Sequence, residues 1–222
     1  MAHRRPPRGP EQSQRRPPRR DPYDRVLIVC EGTMTEPQYF RELIGAYHLN
    51  TANVVVVPGR RSDPVAVVET AVAVYTTDDD FEGVYVVLDQ DVPTYARAAE
   101  RRGEIEMGTN APPGLGAVLH VVPSMPCFEY WLLLHFEDTA RPYGQGGRRS
   151  ACAECVRDLT RHLPGYTKGG TGTFAATHPY LVDALARAVR RVRATSGDDQ
   201  PNPVTHVHTL VERLRTLSAP AE

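Results

Sequence analysis

Two short apolar runs in this chain end abruptly in carboxylates. Val26-Leu-Ile-Val-Cys30 leads into Glu31-Gly32, and Val84-Tyr-Val-Val-Leu88 leads into Asp89-Gln90-Asp91. Each run is rich in β-branched residues and apolar at odd and even positions alike, the pattern of a strand buried on both faces of a parallel sheet. Ligands of such sheets gather at the carboxyl ends of the strands, where Glu31, Asp89 and Asp91 fall. Side chains alternate along a strand, so Asp89 and Asp91 share a face with Cα atoms roughly 6 to 7 Å apart. That spacing suits one hard cation. Carboxylate oxygens plus water favour Mg²⁺ or Mn²⁺, while Ca²⁺ lacks a loop offering enough oxygens.

The remaining pattern reads as α/β. Strands are expected at 25–30, 54–57, 84–88 and 118–122, alternating with helices at 35–49, 63–75, 94–107 and 126–136. Thr35 serves as the expected N-cap of the first helix, and Asp63 with Pro64 opens the second. Alternation of this kind implies right-handed crossovers and a mainly parallel four-stranded sheet of Rossmann-like form flanked by helices. Helices at 150–163, 177–194 and 203–217 follow. The expected organisation is a tail over residues 1–24, an α/β core over 25–140 and a helical C-terminal part over 141–222 packed on that core.

Several further residues are candidates for the same site. Glu36 opens the first helix, where it either contributes to a second metal or complements the helix dipole. Glu129 shares a helical stripe with Leu132, Leu133 and Phe136 and should face inward, where a carboxylate needs a cation or donors. Lys168 is the lone lysine among 26 Lys and Arg residues. In a chain that uses arginine for nearly every cation, a retained lysine suggests a required compact ammonium. Its Gly-flanked loop suits phosphate contact. Gly32, Tyr166, Asn202, Thr205 and His206 are candidates to line the cleft, with structural caps and turns at least as good readings for the last four. Cys152-Ala-Glu-Cys155 has C-x-x-C spacing with His162 nearby, a weak zinc signal without a second matched pair. There is no Walker-type loop.

Composition hides a charge split. Residues 1–20 hold seven arginines, five prolines and Glu11, a charge of +6 that leaves −7 for the remaining 202 residues of a chain with net charge −1. Such a tail cannot pack a core and should be disordered; it either neutralises nucleic-acid phosphates or aids solubility. With no long apolar run and no signal-like start, a soluble cytoplasmic protein with no membrane partner is expected. Four cysteines then suggest reduced thiols.

The pairing of Glu31-Gly32 with Asp89-x-Asp91 is similar to the Toprim signature of topoisomerases, primases and related nucleases. Four longer stretches resemble one branch, the RloB-like family of bacterial defence loci. They are Ile28-Val-Cys-Glu-Gly-Thr-Met-Thr-Glu-Pro-Gln-Tyr-Phe40, Pro126-Cys-Phe-Glu-Tyr-Trp-Leu-Leu-Leu-His-Phe136, Gly165-Tyr-Thr-Lys168 and Asn202-Pro-Val-Thr-His-Val-His208. Met125 and Val204 depart from the family pattern, where Asn and Ser are expected. The resemblance implies a Toprim-like sheet and a Mg²⁺- or Mn²⁺-dependent endonuclease. Its catalytic residues would be Glu31, Asp89, Asp91 and Lys168; Asp89 and Asp91 would hold the metal, Glu31 would be a further ligand or a general base or acid, and Glu36 and Glu129 would be additional ligands. It implies an RNA substrate, with tRNA a candidate, cut in anti-phage defence by abortive infection alongside an ATPase encoded nearby. A DNA nuclease, and a non-catalytic module that binds nucleotide or nucleic acid and regulates the ATPase, stay open, as does a homo-oligomer.

Overall fold

A computed structural model describes residues 24–51, 53–58, 63–90, 94–145 and 149–218. The expected disordered tail, apart from Asp24, lies outside these residues, and so does Asp91. Four strands, β1 (Val26–Cys30), β2 (Val54–Pro58), β3 (Gly83–Asp89) and β4 (Leu119–Met125), run parallel. They are crossed over by α1 (Thr35–Ala46), α2 (Pro64–Thr77) and α3 (Tyr95–Glu106), with a short α4 (Leu115–Val118) leading into β4. The sheet order is β2-β1-β3-β4-β5.

The fifth strand corrects the expected four. β5 (Val204–Thr205) pairs antiparallel with Met125 and Ser124, in a stretch expected to be helical throughout. The helix begins only at α9 (Val207–Ser218), where the Thr205 hydroxyl accepts a hydrogen bond from the Val207 amide. One threonine thus ends a strand and opens a helix, and only the helical half of that role shows in the sequence.

Both faces of the central strands are covered, which explains their unbroken apolar runs. Val26, Ile28 and Cys30 face one buried cluster; Leu27 and Val29 face a second cluster with Val67, Val68 and Ala71 of α2. The first cluster continues into α5 (Glu129–Leu133), α6 (Ala151–His162), α7 (Thr173–Thr177), α8 (Leu181–Ala194) and α9. Leu159, Leu185 and Leu214 share it with the fully buried Trp131, so the C-terminal helices pack on one face of the sheet.

Two helix starts differ from expectation. Asp63 caps α2 through the Val65 amide as expected, but Met34 occupies the N-cap of α1. The Thr35 hydroxyl instead accepts from the Gly169 amide, at 2.9 Å, across the chain. The expected helix at 126–136 contracts to α5, and that at 177–194 begins as α7 and a 3-10 turn over His178–Tyr180. Among the described residues no helix is long and apolar enough to cross a membrane.

Candidate metal centre

The strand order reverses at β1, with β2 on one side and β3 on the other, and such a reversal opens a crevice beyond the carboxyl ends. Glu31 follows β1 and Asp89 ends β3. The Glu31 carboxylate accepts from the Asp89 amide at 2.9 Å, and the Asp89 carboxylate accepts from the Phe128 amide at 2.9 Å. α1 starts at the same edge and sends Glu36 back to accept from the Gly32 amide at 3.2 Å. A Cβ at residue 32 would overlap the Glu36 carboxylate, so glycine there leaves room for that side chain to fold back onto the Gly32 amide.

From the other side α5 presents Glu129, which is 2 % exposed. It accepts from the Tyr166 hydroxyl at 2.8 Å and pairs with the Lys168 ammonium at 3.1 Å. Glu31, Gly32, Glu36, Asp89, Glu129 and Lys168 line one pocket of about 400 Å³. A larger groove of about 890 Å³ runs along α2, but its acids are engaged elsewhere. Asp63 caps its helix, Glu69 pairs with Arg101 and Asp78 pairs with Arg25. The carboxylates expected at the site therefore converge on the smaller cavity.

Crowded like charges leave their mark on protonation. Burial pushes the Asp89 carboxyl well above the usual range, and Glu36, Glu129 and Glu31 push it further. Burial raises Glu36 to about 7, with the Glu129 charge adding to the effect against opposing backbone hydrogen bonds. At Lys168 partial burial works against the ammonium, but Glu129, Asp89 and Glu36 outweigh it and hold the group above its ordinary value. One lysine facing four carboxylates leaves excess negative charge, the condition a divalent cation relieves.

The donor set fits a hard cation. Backbone amides hold one oxygen each of Glu36 and Asp89, leaving each carboxylate a second oxygen. The cluster is open, however. Among the described residues, the trio whose ligand atoms all lie within 4.8 Å of one another is Cys127, Glu129 and Cys152, a candidate metal-binding group of a softer kind. Cys127 and Cys152 are joined in a disulfide, so their sulfurs are not free thiolate ligands in this state. An open carboxylate set suits Mg²⁺, which keeps several waters and binds through one or two carboxylates.

Cys152 and Cys127 correct the expectation of reduced thiols, while Cys30 and Cys155 are buried and free. The C-x-x-C zinc constellation is not assembled: Cys152 is spent on Cys127, and His162 pairs with Glu137 at 3.0 Å while stacking on Phe136. Tyr166 does not line the pocket as expected but lies behind it, donating to Glu129. Asn202, Thr205 and His206 do not line the pocket. The Asn202 amide brackets the Tyr143 backbone at 3.1 and 2.9 Å, and Thr205 meets Ser124 at 2.8 Å. His206 is anchored by its backbone amide to Pro123, and burial lowers its imidazole pKa.

Two supports escaped sequence reasoning. Thr35 fixes the Lys168 loop through Gly169, and Glu42 holds the far end of that loop by accepting from the Gly172 and Phe174 amides at 2.6 and 2.9 Å. These contacts span 130 to 134 residues, and no spacing in the sequence announces them.

No curated protein and no solved structure matches the chain. A family model does, that described as RloB-like protein, over residues 26–214 of the 222. The match takes in both strand-end carboxylate motifs, the Glu129 segment and the Lys168 loop, and the chain belongs to the RloB-like family.

Proposed function

We propose that the pocket at the ends of β1 and β3 is the centre of a metal-dependent endonuclease of the Toprim type, which hydrolyses phosphodiester bonds of RNA. The observation that carries this reading is the convergence of Glu31, Glu36, Asp89, Glu129 and Lys168 on one cavity. The 2-1-3-4 order of the parallel strands, with its acids at the switch point, supports a Toprim-like core.

Glu31 and Asp89 would hold Mg²⁺ or Mn²⁺ with Asp91, and Glu36 and Glu129 lie on the same cavity as additional ligands. The cation would neutralise a non-bridging phosphate oxygen and activate water for attack. Lys168 would stabilise charge that develops on the phosphate. Burial and the Glu129 charge hold the Glu36 carboxyl high in the metal-free pocket, so a cation bound there would displace its proton. Tyr166 orients Glu129, and Thr35 with Glu42 holds the Lys168 loop over the pocket. RNA as substrate, with tRNA as the first candidate, abortive infection in the cytoplasm and an ATPase encoded nearby complete the proposal, and the resemblance to the RloB-like family is what supports them.

The test is direct. Purified protein, alone and with the partner ATPase, should cut labelled tRNA, other RNA or DNA with Mg²⁺ or Mn²⁺ and not with chelator, and Asp89→Ala should abolish the cleavage. Exclusive cutting of DNA would replace RNA as substrate. Persistent metal-independent binding without cleavage of any of the three would sink the enzyme reading in favour of a regulatory module.

A further inference from the structure

The Cys127–Cys152 disulfide joins parts of the chain 25 residues apart, and each end adjoins residues that line the acidic pocket. Cys127 is fully buried in the link between β4 and α5. It directly precedes Phe128, whose amide holds Asp89, and Glu129, whose carboxylate lies in the cavity wall. Cys152 sits half-buried in the first turn of α6, with its sulfur 3.5 Å from the Glu129 carboxylate and 3.4 Å from the Lys168 ammonium. The cross-link therefore ties α6 to the segment that places two of the pocket carboxylates.

The two sulfurs differ in access and in electrostatic setting. Cys127 is enclosed; Cys152 is partly open and lies beside a cation. A thiolate can approach the half-buried Cys152 but not the enclosed Cys127, so access gives the exchange a direction.

We propose that the Cys127–Cys152 disulfide is a thiol-exchange site in the wall of the acidic pocket, opened by a small-molecule thiol that attacks Cys152. A thiolate forms a bond to the Cys152 sulfur, the bond to Cys127 breaks, and Cys127 leaves with the electron pair and takes a proton. A second thiol then attacks the mixed disulfide, releases the small-molecule disulfide and leaves Cys152 reduced. Two thiols are oxidised as one protein disulfide is reduced. Opening the cross-link frees the first turn of α6 from the Phe128–Glu129 segment and loosens the hold on Asp89. The effect on cleavage rests on the nuclease reading, whereas the exchange and the loosening do not.

The full chain is prepared oxidised and then treated, while folded, with glutathione or dithiothreitol. The oxidised form should yield a linked Cys127–Cys152 peptide by mass spectrometry, and glutathione should appear on Cys152 before Cys127. Hydrogen exchange at Phe128 and Tyr130 should rise about tenfold on reduction and return on reoxidation. Cys152→Ser should abolish that response to thiol, and it replaces a half-buried residue, so it serves if Cys127→Ser does not fold. Absence of the linked peptide, reduction only after unfolding, or unchanged exchange in the reduced protein overturns the proposal. None of these readouts uses substrate or metal, so a failure of the nuclease reading is seen separately, as absent cleavage in both redox forms.

Discussion

The β1/β3 crevice and the β4/β5 edge lie at the same end of the sheet, and both gather buried polar side chains. At the β4/β5 edge the groups are neutral and matched: Ser124 with Thr205, and both ends of the Asn202 amide with the Tyr143 backbone. At the crevice four carboxylates face one lysine, and burial together with mutual repulsion drives Asp89 and Glu36 upward. A satisfied polar network rigidifies a fold, whereas an unbalanced cluster of charge costs stability and is retained where a ligand balances it. The difference separates a balanced polar network from an unbalanced one within one stretch of family resemblance.

The largest expected effect breaks the crevice at its centre. Asp89→Asn keeps an oxygen for the Phe128 amide but removes the charge, so metal-dependent cleavage should fall by about 10²- to 10³-fold or more. The same change should raise the melting temperature in chelator at neutral pH, because Asn needs neither a buried charge nor an added proton at that position. A melting temperature that falls would make Asp89 a structural group, like the matched polar residues at the β4/β5 edge.

A second effect concerns pH in the metal-free protein. Glu36 titrates near 7 when folded against an ordinary value of 4.5, so between those values the folded state holds the extra proton. Stability should therefore fall as pH rises through that window, by at most about 3 kcal/mol from this group, with Asp89 adding in the same direction. Thermal melts from pH 4 to 8 should show the slope in chelator and lose it on adding Mn²⁺. A slope unaffected by Mn²⁺ would separate Glu36 from the metal.

The two regions also differ in how much of them the sequence discloses. Glu31 and Asp89 are legible because unbroken apolar runs mark buried parallel strands, and carboxylates at their ends have few other uses. Glu129 is legible from its inward helical stripe. Asn202, Thr205 and His206 mislead because polar residues beside Pro203 suit a cleft, a cap or a short strand equally well. β5 is too short for its alternation to register, and it shows only through pairing with Ser124 and Met125. The Tyr166–Glu129 bond and the Cys127–Cys152 link, 37 and 25 residues apart, depend on how α5 and α6 dock. That is a tertiary fact no local period encodes.

A third effect probes how the crevice is shaped. Gly32→Ala places a Cβ in the space of the Glu36 carboxylate, which must swing away and give up the Gly32 amide. Loss of such an orienting contact should weaken Mn²⁺ binding by about 10- to 100-fold, measured by titration calorimetry. Unchanged affinity would leave Glu36 outside the metal site.

The smallest effect lies at the matched edge and sharpens the contrast from that side. Asn202→Ala removes one bond given to the Tyr143 backbone and one received from it. The Tyr143 amide and carbonyl then lose partners in a partly buried setting, which should cost about 1 to 2 kcal/mol in a denaturant melt. The pocket loses no lining group, so cleavage per folded molecule and Mn²⁺ affinity should match the wild type. A variant that folds as well as the wild type yet cuts poorly would bring Asn202 into the site, and the edge would then have to be counted as part of the chemistry.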